Sequence, residues 1–170
     1  MAFGTTAAGT ITKEQTLHSI RRLPVAASTT ITKGNVCEPD AGGDLIVSPT
    51  SQTAEVPHFV ALETVDNSAG ADGDLFVPVA VAGHFVTVIA DGAITPGSKV
   101  VVSAATAGQV IAYAAASHTG EQTVGIYWGK EGGTVAKGSG SPYVESFTDA
   151  ADFEPADAAD GDVIEVQLVD

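Results

Sequence analysis

Short runs in which apolar residues occupy every second position recur along this chain. In the run 75–82, valines alternate with smaller residues or with Pro78, and the runs 84–90 and 99–102 are rich in Val and Ile. Period-two alternation favours half-buried strands, and the Asp-Gly and Pro-Gly turn signals between the runs are typical of a sandwich or a barrel. We therefore predict an all-β fold and leave barrel and sandwich open. Because Pro78 cannot donate a ladder hydrogen bond, its strand is predicted to be an edge or bulged strand.

The same order of turns and strands occurs twice. The segment 71–82 begins Ala-Asp-Gly-Asp and continues as an alternating strand, and 159–170 does the same. Units of about 50 to 75 residues are too long for a solenoid repeat, so the pattern predicts two similar halves of one β domain that share a core. We place the β domain at 24–170, half one at 24–83 and half two at 94–170. The other matched pairs are 31–36 with 94–100, 43–47 with 108–112, and 59–62 with 123–127.

Two segments fall outside the duplicated pattern. Residues 1–23 are predicted to form an N-terminal arm, in which Leu17 and Ile20 make only a narrow apolar stripe before Pro24. A helical turn and an extended conformation therefore both remain open there. Residues 129–158 are predicted to form one long inserted loop, because they are rich in Gly, Ser and acidic residues. Loops of this length are usually functional or disordered, and both interpretations remain open.

Composition and charge narrow the class of protein. Hydrophobic residues make up 44% of the 170 residues but aromatic ones only 6%, which indicates one domain with a core of small branched side chains. The formal net charge of -14 repels phosphate backbones, so no direct nucleic-acid partner is expected. Salt relieves such self-repulsion, which indicates a halophilic protein, with an ordinary acidic protein as the alternative. Because the sequence contains neither a run of roughly 20 apolar residues nor a secretory signal, no membrane partner is expected.

Candidate catalytic groups are sparse in the sequence. Cys37 is the single cysteine and has no neighbouring cation that would lower its pKa. Neither a G-x-S-x-G elbow nor a Walker phosphate loop occurs. The acidic turns near 72 and 160 are expected to be solvated turns, with a Ca²⁺ or Mg²⁺ site as the weaker alternative. We predict no enzymatic activity, no metal and no cofactor. The four histidines, which show no zinc-site spacing, are His18, His58, His84 and His118.

A series of motifs points to a known family. The pattern I-x-x-G-x-x-V, then a glycine turn, a strand such as 59–62, and G-D-x-x-x-V-x-V covers about 25–170 and is strongest at 94–126 and 161–166. This series resembles the small capsid decoration, or cement, proteins of tailed viruses, the DUF2190-like group. The N-terminal arm and the inserted loop are longer than that pattern requires. The resemblance, taken with the acidic composition, points to a virus of a haloarchaeal host.

The resemblance implies a structural role on the virion. Such proteins form homotrimers or other symmetric clusters on the outer face of the capsid, where they bind the major capsid protein, and they are made in the host cytoplasm. Their N-terminal arms reach neighbouring subunits, which suggests arm contacts through Phe3, Ile11, Leu17 and Ile20. A disordered leader is the alternative for the arm.

A second class of function remains open, an attachment or carbohydrate-binding module. Its contacts would be Tyr143, Phe147 and Phe153 of the inserted loop, where aromatic side chains lie among Gly, Ser and acidic residues. Trp128, the single tryptophan, is expected to pack in the core at a strand end, with a surface contact as its alternative.

Overall fold

The computed structural model describes residues 8–9, 11–13, 20–49, 56–118, 123–131, 153–154 and 156–169. Every regular element within those ranges is a β-strand. The all-β prediction is therefore confirmed.

The strands follow the predicted division closely and are numbered here in chain order. β1 (Ile11–Lys13) precedes both halves, and β13 (Phe153–Glu154) lies within the predicted loop. The strands of half one are β2 (Arg21–Pro24), β3 (Thr29–Ile31), β4 (Val36–Pro39), β5 (Leu45–Val47), β6 (Phe59–Ala61), β7 (Val65–Asn67) and β8 (Phe76–Ala80). Those of half two are β9 (Phe85–Ile89), β10 (Lys99–Val102), β11 (Val110–Ala112), β12 (Thr123–Glu131) and β14 (Val163–Leu168).

The two halves have the same sheet order. Half one follows the path β2-β8-β6-β4-β5, and half two follows β9-β14-β12-β10-β11, with antiparallel pairing throughout. β1 extends the second path beyond β9, β13 pairs with β12, and β3 pairs with β7 in a separate two-stranded sheet. Each strand of the first path has a counterpart at the same place in the second, so the predicted duplication is confirmed in the topology.

A parallel bridge joins the two ends of each path. Val25, directly after β2, bridges Leu45 in β5, and Ala90, directly after β9, bridges Val110 in β11. The amide of Ala26 donates to the carbonyl oxygen of Leu45 at 3.0 Å. In the same way, the amide of Asp91 donates to the carbonyl oxygen of Val110 at 2.8 Å. Each half therefore closes into a small barrel, which decides the question that the sequence left open.

The apolar residues form two clusters that reflect this division. The smaller cluster lies within half one. The larger cluster lies mainly in half two, and Val36, Val60 and Ala80 of half one pack into it from the other faces of their strands. The halves thus share a core, as expected. The smaller cluster consists of Val25, Ile31, Cys37, Leu45, Ala61, Val77 and Val79. The larger also contains Val86, Val88, Ala90, Ile94, Val100, Val102, Val110, Val124, Tyr127, Ala158, Ile164, Val166 and Leu168.

The boundaries of the halves differ from the predicted ones. β2 and β9 are equivalent first strands of the two sheet paths, but the sequence analysis placed most of β2 in the arm and β9 between the halves. By sheet path, the strands of half one therefore begin at 21 and those of half two at 85, a few residues before the expected bounds of 24 and 94. The reason is that Arg-Arg-Leu-Pro and Phe-Val-Thr-Val-Ile share no sequence pattern, and only pairing with β8 and β14 makes them equivalent.

The described part of residues 1–23 belongs to the folded domain. β1 pairs with β9, β2 pairs with β8, and the amide of Gly9 donates to the carbonyl oxygen of Thr87 at 2.6 Å. A Cβ built on Gly9 would lie 2.4 Å from the carbonyl oxygen of Ala61 and 2.6 Å from the amide nitrogen of Gly34. Gly9 therefore contacts both halves, and the described segments 8–9, 11–13 and 21–23 adjoin or pair with the strands of the domain.

Two smaller expectations also change. β12 continues to Glu131, β13 pairs with its end, and Ala158 bridges Ile94, so both ends of the predicted 129–158 loop are part of the sheets. β8 lies between β2 and β6, so the prediction of an edge strand at Pro78 was wrong. The register of β6 with β8 covers only Val79 and Ala80, and Pro78 contributes its carbonyl oxygen, which accepts from Leu62.

Candidate functional site

Large apolar side chains are exposed at few places in the described residues, and most of these adjoin one strand pair. Leu75 is 41% exposed and Phe76 53%, and both lie at the start of β8. Ile20, which is 50% exposed, directly precedes β2, the antiparallel neighbour of β8. Exposed apolar residues that gather on one element are more informative than scattered ones, because they mark interaction surfaces. The β2–β8 pair is therefore the candidate contact surface.

The register of this pair separates the exposed residues into two ends. Pro24 lies opposite Phe76 at one end, and Arg21 lies opposite Val79 at the other. The first end also carries Asp40, Asp44, Asp72 and Asp74 with Leu75 and Phe76, and we name this group the acidic end. The second carries Ile20, Arg21 and Arg22, which we name the basic end.

Phe76 is the one exposed residue of β8 and stands at the start of the strand, since Pro78 and Ala80 on the same face are buried. Val77 and Val79 point into the half-one core and are fully buried, so Phe76 belongs to the opposite phase. β8 starts three residues after Gly73, whereas its counterpart β14 starts two residues after Gly161. Leu75 is thus an additional residue between turn and strand that half two does not have.

Backbone hydrogen bonds hold the acidic end on the end of β2. Gly73 donates its amide to the carbonyl oxygen of Val25 at 3.1 Å, and Val25 donates to Leu75 at 2.9 Å. The amide of Ala27 donates to Oδ1 of Asp72 at 2.7 Å. The open side of Gly73 faces Asp44, whose Oδ1 lies 3.8 Å from where a Cβ would be. The turn and the strand end therefore form one ordered surface.

The carboxylates of the acidic end are not neutralised locally. Partial burial and the nearby charges of Asp72 and Asp40 raise the pKa of Asp44 above its ordinary value. Within the described ranges, no lysine or arginine forms an ion pair with any of these three carboxylates. The surface around Leu75 and Phe76 is therefore strongly negative.

The basic end is the only place in the sequence where two cations are adjacent. Arg21 and Arg22 are both exposed, and in the described part of the chain neither forms an ion pair. Their counterparts in half two by strand register are Val86 and Thr87, both fully buried. The fold itself thus accepts apolar or neutral residues at these positions and does not require arginine.

Half two provides an internal comparison for the acidic end. Asp162 is the counterpart of Asp74, and it accepts hydrogen bonds from the amide of Ala159 at 2.8 Å and from Nζ of Lys130 at 3.0 Å. The Ala159 bond, with the charge and hydrogen bond of Lys130, lowers the pKa of Asp162. No large apolar side chain is exposed at this turn. Of these two described turns, only the half-one turn therefore combines carboxylates that lack a basic partner with an exposed aromatic ring.

Aspartates of the half-one turns also accept hydrogen bonds that stabilise those turns. Asp74 accepts from the amide of Ala71 at 2.8 Å, and Asp66 accepts from the Thr30 hydroxyl at 2.9 Å and from the Ser68 amide at 3.0 Å. In the described ranges no group of three or more His, Cys, Asp and Glu side chains is arranged to hold a metal ion. These bonds are those of carboxylates that close turns.

Sequence reasoning did not select Leu75, Phe76, Arg21 or Arg22. The sequence signal for Phe76 was its position in the alternating run. It occupies the same alternate positions as the small residues between Val77, Val79 and Val81, although its ring is large. The signal for the arginines was their adjacency in a chain with few cations. Neither signal identifies a surface until the β2–β8 register places both on one strand pair.

The residues that the sequence analysis selected lie in different places. Ile20 is half exposed at the basic end. Ile11 is in β1 opposite Val86, and Phe153 is in β13 opposite Glu131. The structure therefore brings none of these three together. The remaining predicted contacts, Phe3, Leu17, Tyr143 and Phe147, lie outside the described residues.

Trp128 is not a core residue. Its side chain is 50% exposed, and its ring centroid lies 5.6 Å from that of Phe85, with the planes tilted by 58°. The β12–β14 register shifts between Tyr127 and Gly129, so Trp128 sits in a bulge. Because a bulge re-aims a side chain, Tyr127 fills the core and Trp128 covers Phe85 from outside.

Two further titratable candidates, Cys37 and His58, are buried. Cys37 is fully buried in the half-one core, and burial raises the pKa of its thiol to about 12, with a smaller contribution from Glu38. A thiol held in this form is a poor nucleophile. His58 lies 3.9 Å from a carboxylate oxygen of Glu38, but burial lowers the pKa of His58 to about 4. At neutral pH the imidazole is uncharged, so the contact is not an ion pair.

Comparisons with known proteins do not add to this picture. No protein-family model matches the sequence, and neither a curated protein nor a solved structure matches it significantly. Among the described residues, no helix has the length and apolar character needed to cross a membrane.

Proposed function

We propose that this chain is a virion structural protein that binds the outer face of an assembled capsid and stabilises it. It would bind the major capsid protein, assemble with copies of itself as a homotrimer, and act without catalysis. The observation that carries this proposal is that the turn-and-strand motifs behind the family resemblance occupy equivalent positions in both halves of the fold. The I-x-x-G motif shows this directly, since the amide of Gly34 donates to Ala61 and that of Gly97 donates to Tyr127, each at 2.8 Å.

The physical basis of such a role is linkage. A protein that binds the assembled shell and not the separated subunits stabilises the shell, and many copies on one particle act together. The acidic surface supports the proposal of a haloarchaeal host, where molar salt reduces the screening length to about 3 Å.

The test uses capsids of the virus that encodes the chain, stripped of their decoration. Adding the purified full-length chain should saturate at a fixed number of copies per shell and raise the temperature at which the shell releases its genome. An unrelated acidic β protein of similar net charge is the control for non-specific effects. Absence of saturable binding would overturn the proposal, and binding to host cells alone would favour the attachment module instead.

A further inference from the structure

We infer that two copies of this chain contact each other through unlike ends of the β2–β8 strand pair, the acidic end of one copy docking on the basic end of the next. Among the described residues, each end combines exposed apolar side chains with charge of one sign that forms no ion pair there: Leu75 and Phe76 with carboxylates, and Ile20 with Arg21 and Arg22, whose side chains leave opposite faces of β2. The two ends are therefore complementary in charge, and each offers the other an apolar contact.

Within the described residues the two ends form no ion pair with each other. Arg21 and Arg22 lie three and two residues before Pro24 in β2, about 10 and 7 Å along the strand. The acidic end lies beyond Pro24, and salt weakens the attraction between exposed charges at such separations. A second copy can bring the groups into direct contact.

The internal duplication indicates that the arginines of the basic end and the exposed residues of the acidic end are not required for folding. At the counterpart positions half two has buried Val86 and Thr87 in place of the arginines, and Lys130 forms an ion pair with Asp162 of its acidic turn. Because the same barrel is built twice, the residues that only half one carries are not demanded by the barrel. Arginines and aromatic residues are also the side chains enriched at the energetic centres of protein interfaces.

Contact between like ends is disfavoured. Two acidic ends facing each other would place the already crowded carboxylates of Asp40, Asp44 and Asp72 against another set of the same sign. Contact between unlike ends builds either a two-fold dimer with two such contacts or a closed ring with one contact per neighbour. The trimer of the proposed function corresponds to the ring, and this part of the inference rests on that proposal.

The experiment measures self-association of the full chain without any shell, by sedimentation and native mass spectrometry. The wild type should form one discrete multiple of the 17.1 kDa chain. Phe76→Ser, Asp44→Lys and the double variant Arg21→Glu/Arg22→Glu should each weaken association by about tenfold or more. Asp44 is chosen because, within the described chain, its carboxylate accepts no hydrogen bond that supports a turn.

Matched controls come from half two. Val163→Ser alters the counterpart of Phe76, and Lys99→Glu makes the same kind of charge reversal at an exposed strand position. Both should associate as the wild type does. The decisive test mixes Asp44→Lys with Arg21→Glu/Arg22→Glu, because the intact acidic end of the second variant can still meet the intact basic end of the first, so the mixture should form a heterodimer that neither variant forms alone.

Each result decides the inference. A heterodimer in the mixture supports it; circular dichroism checks that each variant is folded, and Phe76→Ser takes the place of Asp44→Lys if that variant folds poorly. A wild type that stays monomeric, variants that associate normally, or folded variants whose mixture stays monomeric would each overturn it. Since no shell is present, these outcomes are separate from the test of capsid binding. A wild type that is monomeric in solution but still saturates shells would contradict only the contact between copies.

Discussion

The side-chain amide of Asn67 lies 3.1 Å from the main-chain carbonyl oxygen of Val25, at the point where β2 ends. The same nitrogen is 3.1 Å from the carbonyl oxygen of Ala26 and 2.9 Å from that of Ala71. Two N–H groups thus serve three buried acceptors. Asn67 therefore connects β7, the end of β2 and the turn that carries the acidic end.

Replacing Asn67 should destabilise the whole domain. Asn67→Ala leaves the three carbonyl oxygens without their shared donor, a loss of about 1 to 3 kcal/mol in the free energy of unfolding. Asn67→Asp should cost more, because it places a carboxylate against carbonyl oxygens. Urea denaturation measures both, with the exposed Glu63→Ala as the control. Unchanged midpoints would show that the amide is not a structural connection.

Gly9 tests whether the N-terminal segment belongs to the fold. Gly9→Ala should be strongly destabilising, because the new Cβ meets backbone atoms at 2.4 and 2.6 Å. Gly43→Ala is a matched control, since Gly43 also has a positive φ, 93° against 74°, but nothing lies within 4 Å of its Cβ position. Both variants bear the strain of a left-handed alanine, roughly 1 to 2 kcal/mol. Thermal melts should show a clearly larger loss for Gly9→Ala; equal losses would place residues 8–9 outside the stable domain.

His58 should make stability depend on pH in the acid range. Its pKa is lowered from 6.5 to about 4 by burial, so the unfolded chain binds the proton more readily than the folded one. The associated stability is complete above pH 6.5 and is lost as pH falls toward 4, by at most about 3 kcal/mol. His58→Gln should flatten this part of the stability curve measured by urea denaturation. A variant that keeps the wild-type slope between pH 6.5 and 4 would assign the effect to other groups.

Salt should stabilise the protein, and Asp44 should account for part of that dependence. Partial burial and the charges of Asp72 and Asp40 raise the pKa of Asp44, which means that its negative form is unfavourable in the folded state. Asp44→Asn should therefore raise the melting temperature in dilute buffer and reduce its rise with added salt. Asp160→Asn, the same change at the exposed acidic turn of half two, is the control. A melting temperature independent of salt would contradict the halophilic proposal.

The repeated pattern made much of the fold predictable. The glycine turns and the alternating runs located β10 and β14 to within a few residues, because a two-residue period is a local property of the chain. The matched pairs 31–36 with 94–100 and 43–47 with 108–112 do occupy equivalent places, as the identical sheet orders show. Ile11, Ile20 and Phe153 could be selected as apolar or aromatic residues, but their surroundings could not be derived from local pattern.

Other features depended on contacts between distant residues. Trp128 leaves the core because of a bulge in the β12–β14 register, and Phe76 is exposed because Leu75 shifts the start of β8 by one residue relative to β14. One additional residue reverses which face a side chain occupies, since the strand period is two. Such a shift is visible only when the two halves are superposed strand by strand.

The amino-acid sequence by itself determined that the protein is an all-β domain built twice from one pattern, with a core of small branched residues and a strongly negative surface. These properties follow from periodicity and composition, which are carried by neighbouring residues. Tertiary structure alone decided that each half closes through the bridges at Val25 and Ala90, that β2 and β9 are equivalent, and that the acidic and basic groups of half one share one strand pair. Closure and register are set by hydrogen bonds between strands far apart in the chain, and no local window of residues contains that information.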